Sequence, residues 1–75
     1  MPSENVIAPT STKNIDVDLS GYERPVSVRI VVGEMTLFDG KVEAESKSVS
    51  ATASGTQTVY IYINDVLEDR YTVDF

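Results

Sequence analysis

The side chains whose spacing could do chemistry are carboxylates. Asp16 and Asp18 alternate with Ile15, Val17 and Leu19. On a strand that places both acids on one face, roughly 7 Å apart. Glu43 and Glu45 repeat the arrangement. Such pairs serve glycoside hydrolysis as acid and nucleophile, and they serve calcium as oxygen ligands. The solvated face of a half-buried strand produces the same spacing without chemistry, and that is the preferred reading, because hydrolysis also needs a cleft. The run Asn64-Asp65-Val66-Leu67-Glu68-Asp69 holds four oxygen-bearing side chains but not the spacing of an EF-hand loop. It reads as a charged hairpin tip that discourages edge-to-edge pairing.

Aromatic residues form the second group. Tyr60 and Tyr62 alternate with Val59, Ile61 and Ile63, so they stand on the outer face of a strand. The register expected for the closing hairpin sets Tyr60 opposite Arg70 and Tyr62 opposite Glu68. Tyr60, Tyr62 and Arg70 are therefore the candidate ligand-binding set, an aromatic and cationic patch able to stack on a sugar or a peptide. Cross-strand packing uses the same side chains, and packing is the expected role. The chain has no cysteine and no histidine, which removes thiolate and imidazole chemistry, disulfides and the usual zinc ligands. The serines and threonines have no base arranged beside them. Gly33, Gly40 and Gly55 read as turn glycines, with no phosphate-cradling motif leading into a helix. No catalytic residue, metal site or cofactor is expected.

The elements that carry these residues follow from length and pattern. Seventy-five residues support one small domain, with about 60% of the unfolded surface buried. Acidic residues outnumber basic ones 12 to 6, a net charge of −6, which argues against nucleic acid and anionic membrane as partners. No apolar run approaches the roughly 20 residues of a membrane span. Met1-Pro2-Ser3-Glu4 lacks the basic and apolar regions of a signal peptide. Residues 1–12 read as a linker or flexible arm, with a short edge strand at Val6-Ile7, ended by Pro9, as the alternative.

From Lys13 to Phe75 the apolar residues alternate with period two, the template of half-buried strands. The expected core is Ile15, Val17, Leu19, Val28, Ile30, Leu37, Val42, Val49, Ala51, Val59, Ile61, Tyr71 and Val73. Gly33-Glu34 suits a type II′ hairpin, pairing Val32 with Met35 and Ile30 with Leu37. Ser54-Gly55-Thr56 is expected to join a hairpin with Ala51 opposite Val59 and Val49 opposite Ile61. A simple two-residue loop at Asn64-Asp65 would set Ile61 against Glu68. A three-residue loop, or two residues plus a bulge, sets Val59 opposite Tyr71 and Ile63 opposite Leu67 and keeps the core apolar. A bulge at Asp39-Gly40 is favoured to reconcile the parity of Leu37 with that of Val42. The fold class is all-β, a small antiparallel Ig-like β-sandwich of about six strands.

Four segments carry a resemblance: KNIDVDL, VSVRIVV, MTLFDGKV and TVYIYINDVLEDRYTVDF, ending in Val73-Asp74-Phe75. Over Lys13–Phe75 the chain resembles the C-terminal Ig-like domain that follows the PASTA repeats in Gram-positive bacterial membrane Ser/Thr protein kinases. It departs in turning on Asn64-Asp65, where such domains use Asp-Gly or Asn-Gly, and in placing Gly33 first in its turn. The resemblance implies an extracytoplasmic module of a single-pass membrane protein, without catalysis of its own, acting as a spacer or interaction domain in cell-wall sensing. Cell-wall fragments or adjacent PASTA repeats are the implied partners, and a monomer is expected. The alternatives are a module that binds glycan or peptidoglycan fragments through Tyr60, Tyr62 and Arg70, or a stand-alone Ig-like protein-interaction domain.

Overall fold

The computed structural model describes residues 9–75. The first eight residues, with the expected edge strand at Val6-Ile7 and most of the expected arm, lie outside the described residues. Six strands follow in order: β1 (Ser11–Asp18), β2 (Val26–Val32), β3 (Met35–Val42), β4 (Ser46–Ala53), β5 (Thr56–Ile63) and β6 (Val66–Asp74). They form two antiparallel sheets, β1-β4 and β3-β2-β5-β6. The fold is an all-β sandwich. Ser11 and Thr12 already pair with β4, so the first strand begins ahead of Lys13.

The sandwich is organised around β2 and β5. Their register sets Val28 beside Ile63, Ile30 beside Ile61 and Val32 beside Val59. All six are buried, and Ile30 and Val59 are fully inaccessible. Ile15, Val17, Leu19 and Ala51 press down from the smaller sheet. Period two has put alternate residues of β2 and β5, with Ile15, Val17 and Ala51, into one apolar layer, as two facing sheets require. Val26, Val32 and Ile63 join the expected core, while Leu37, Val49 and Val73 are half-buried at its margin. Tyr71 is corrected outright: it lies 36% exposed, because no strand of the smaller sheet covers β6.

The two hairpins of the larger sheet share one design. Gly33-Glu34 joins β2 to β3 with φ +60° at Gly33 only, the first-position pattern of a type II′ turn. A Cβ on Gly33 would lie 2.6 Å from Gln57 Oε1, the far end of a side chain that can swing away, so it is the positive φ that favours glycine there. Asn64-Asp65 joins β5 to β6 with φ of 52° and 66°, the double positive φ of a type I′ turn. Each hairpin then carries one unpaired residue three positions beyond its two-residue turn, Leu37 in β3 and Glu68 in β6. For β6 this is the second of the two expected alternatives, two residues plus a bulge, and Val59 does face Tyr71. The finer pairings change, since Ile63 faces Val66 and Tyr62 faces Leu67, not Glu68. In β3 the bulge sits at Leu37 instead of Asp39-Gly40, and Ile30 faces Phe38. Moving it there turns Phe38, Gly40 and Val42 inward together.

One expected hairpin is absent. β4 pairs with β1, setting Ala51 opposite Lys13, and Ser54-Gly55 carries the chain across to the other sheet. Ala51 and Val59 lie in different sheets, each fully buried in the shared core. Alternation shows which residues face inward but not whether two inward residues are neighbours in one sheet or partners between sheets.

Ile61 fills the centre of the larger sheet at 3% exposure, so Ile61→Ala should cost about 2–5 kcal/mol. A domain of 75 residues holds about 4–11 kcal/mol in total at typical per-residue stability. Urea unfolding should show the midpoint fall by a large fraction of its value. A shift within error would contradict the inward placement of Ile61.

Candidate functional site

The three residues singled out as a binding set lie on the outer face of the larger sheet. Inward Val59, Ile61 and Ile63 force Tyr60 and Tyr62 outward. Tyr60 stands between Val31 on β2 and Arg70 on β6, and Tyr62 between Arg29 and Leu67. Thr58, Tyr60, Arg70 and Thr72 border a shallow open recess on this face. The structure thus brings Tyr60 and Arg70 together as register partners and gives Tyr62 a different companion.

That companion is Arg29, which pattern reading passed over. Its guanidinium carbon lies 4.1 Å from the centre of the Tyr62 ring, inside the range of a cation–π contact. The Nε atom is buried and has no hydrogen-bond partner among the described residues. The alternation in Val28-Arg29-Ile30 marked Arg29 as outward-facing. Only the pairing of β2 with β5, joined by no local turn, could place it over Tyr62. One tyrosine ring is therefore already occupied, and Tyr60 with Arg70 remain the accessible part of the patch.

The carboxylate pairs resolve into structural roles. Asp16 accepts a hydrogen bond from its register partner Ser48. The Asp18 carboxylate accepts from the Ser20 backbone N–H at 3.0 Å, and that bond holds its pKa below the usual carboxylate range. Ser50 donates to Asn14 at 3.2 Å, and the Thr12 and Thr52 hydroxyls lie 2.8 Å apart. Cross-strand polar pairs thus cover the outer face of the smaller sheet. Glu43 and Glu45 are not on a strand; they sit in the bend between β3 and β4. Among the described residues no group of three or more acidic side chains is placed to hold a metal ion. Asn64 fastens its turn to β2, its N–H donating to the Ser27 carbonyl at 2.8 Å and its Oδ1 accepting from the Ser27 N–H at 3.3 Å.

A second concavity lies along the side of the sandwich between β1 and β6. Val17, Ile61 and Ile63 form its floor, and Asp16, Asp18, Glu68 and Asp69 line it, around a volume of about 210 Å³. Small-ligand sites generally run from about 300 Å³ upward, so this space suits one or two side chains. Beside it, burial raises the Tyr71 phenol above its ordinary value, and the negative charges of Asp69 and Asp16 push in the same direction.

Family models, curated proteins and solved structures offer no match to this chain.

Two measurements test this surface. A double-mutant cycle of Arg29→Ala with Tyr62→Leu should return a coupling of about 0.5–1 kcal/mol; zero coupling would mean that the stacked pair contributes nothing. The second concerns Tyr71. Its folded pKa is raised, so the stability linked to this proton is fully present below about pH 10 and is lost as pH rises through the folded value. Between about pH 9 and about pH 11, the thermal midpoint of the wild type should therefore fall further than that of Tyr71→Phe.

Proposed function

We propose that this chain is a non-catalytic, extracytoplasmic interaction module, of the kind that follows the PASTA repeats in Gram-positive membrane Ser/Thr protein kinases. One observation supports an interaction role. β1 begins beside Ala53 and Phe75 donates its N–H to the Gly55 carbonyl at 2.9 Å, so the start of β1 and the end of β6 close the same end of the sandwich. The sheet faces and the opposite end, where β1 leads into β2 and β5 turns into β6, are left open to a partner. The segments that carry the resemblance fall on strands: most of β1, all of β2 and β3, and most of the β5–β6 hairpin. Val73 and Phe75 of the closing motif pack against the core.

The second reading, a glycan-binding face, is favoured by one specific feature, the recess that Tyr60 and Arg70 share with Thr58 and Thr72. An open aromatic face with a cation and two hydroxyls could stack on one sugar ring and hydrogen-bond its edge. Titrating the isotopically labelled chain with muropeptide fragments separates the two. The interaction reading expects no saturable amide shifts around Tyr60, Tyr62 and Arg70. Saturable shifts there that Tyr60→Ala abolishes, with the fold intact, would establish the glycan-binding face and overturn the interaction reading.

A further inference from the structure

The pseudo-symmetry of the two hairpins singles out one position. Counting from the turns, Phe38 in β3 and Asp69 in β6 are equivalent: each is the first residue after the bulge, facing Ile30 and Ile61 respectively. Both of those partners point into the core, so Phe38 and Asp69 occupy the inner face at opposite margins of the sheet. At the β3 margin the sandwich is closed. Phe38 packs against the core, and Lys47 of β4 crosses it with its Nζ 4.3 Å from the ring centre. At the β6 margin no described strand lies across. There a carboxylate replaces the ring, and Val66, Leu67 and Tyr71 stand 55%, 44% and 36% exposed.

We infer that the open seam between β1 and β6 is a docking groove for one added β-strand of a partner polypeptide in which lysine or arginine alternates with apolar residues. The backbone supplies the first argument. Among the described residues β6 pairs only with β5, and β1 only with β4. The free edge of β1 therefore turns alternate N–H and C=O groups toward the seam beside Ile61 and Ile63, the template that strand addition uses, whereas on β6 the Arg70 N–H is already held by the Asp69 carboxylate at 2.9 Å. The floor supplies the second. Val17, Ile61 and Ile63 lie at the bottom of a cleft sized for side chains, so the inward residues of an added strand, which alternate with its outward apolar ones, can lay long aliphatic stems over them. Charge supplies the third and selects the partner. Asp69 faces the cleft, Glu68 bulges beside it, and Asp16 and Asp18 stand along the opposite lip. A lysine reaching in over Ile61 would meet Asp69, with Glu68 beside it, while the Asp16 and Asp18 carboxylates, held by Ser48 and by the Ser20 N–H, add negative potential along the lip.

The same charges weigh against the other occupants. A second copy of this chain would bring its own Glu68 and Asp69 to the seam, and the chain carries −6 overall. Its own first eight residues contain Glu4 and no lysine or arginine. An inward acid and a bulge are also devices that keep a bare edge from pairing with itself. Against a basic strand, the charge that repels a copy becomes attraction. This inference goes beyond the proposed module function and does not depend on it.

The test uses the full, isotopically labelled chain and two probe peptides, acetyl-Lys-Val-Lys-Val-Lys-Val-amide and its glutamate counterpart. The lysine peptide should shift the amides of Leu67–Val73 and Val17 saturably, bind at least about tenfold tighter than the glutamate peptide, and weaken with added salt. Asp69→Asn should weaken it about threefold to tenfold, and Asp69→Lys should reverse the preference between the peptides. Should Asp69→Lys lose the dispersed spectrum of a folded chain, the wild-type comparison and Asp69→Asn still decide. Equal affinity for the two peptides, or no saturable shift with the lysine peptide at millimolar concentration, would overturn the inference. So would shifts confined to the Tyr60–Arg70 face. In the free chain, nuclear Overhauser contacts from Val6 or Ile7 to β6 would assign the seam to the chain's own first residues. Concentration-dependent β6 shifts would assign it to a second copy. Either result would also overturn it.

Discussion

The pairing of β2 with β5 is the constraint on which the other elements depend. The two strands are far apart in sequence and joined by no local turn, yet Val28, Ile30 and Val32 lie directly beside Ile63, Ile61 and Val59. Each strand then carries its own hairpin partner outward, β3 on one side and β6 on the other. The smaller sheet closes over the inner face so created, with Leu19 and Ala51 as fully buried as Ile30. A change that weakened this central pair would loosen both layers at once, because no other strand pair joins the two hairpins.

The bulges follow from that constraint. A regular two-residue hairpin from β5 into β6 would have set an acid opposite Ile61 and an arginine opposite Val59. Leaving Glu68 unpaired returns Tyr71 to the face of Val59, although Asp69 still comes to stand opposite Ile61. In β3 the same device lets Phe38 face inward beside Ile30. The equal spacing of the bulges gives the sheet an approximate two-fold relation between hairpins, and the side chains then break it. Phe38 is covered by Lys47, whereas Asp69 stands in an open seam with Tyr71 beside it. Both margins have the same backbone design, so the difference between them resides in the side chains and in where the smaller sheet lies.

Much of this architecture was legible in the residues. Alternation in Ile15-Val17-Leu19, in Val26-Val28-Ile30-Val32 and in Val59-Ile61-Ile63 marked three of the central strands and their inward faces. Gly33 in first position indicated its turn type, since only that position takes a positive φ there. The need to keep Val59 facing an apolar partner indicated one extra residue in β5–β6, in the loop or in a bulge. Less of the candidate surface was legible. Tyr60 opposite Arg70 followed from a local hairpin register, but Arg29 over Tyr62 is a contact between strands distant in sequence, and no turn reports it. The seam was illegible for a similar reason. Asp69 and Asp16 belong to different sheets, and their shared cleft exists only because the smaller sheet stops short of β6.

The amino-acid sequence by itself determined the all-β class, the inward faces of β1, β2 and β5, and the two-residue turn at Gly33-Glu34. These depend on the period-two geometry of one extended chain and on the φ preferences of single residues. The tertiary structure alone decided that β4 pairs with β1 and not with β5, that Leu37 rather than Asp39 or Gly40 is the bulged residue of β3, and that Tyr71 is exposed. Inward-facing apolar residues satisfy the pattern equally well as neighbours within a sheet or as partners across two sheets. Only the packing of one layer against the other, and the margin that this packing leaves uncovered, separates the two.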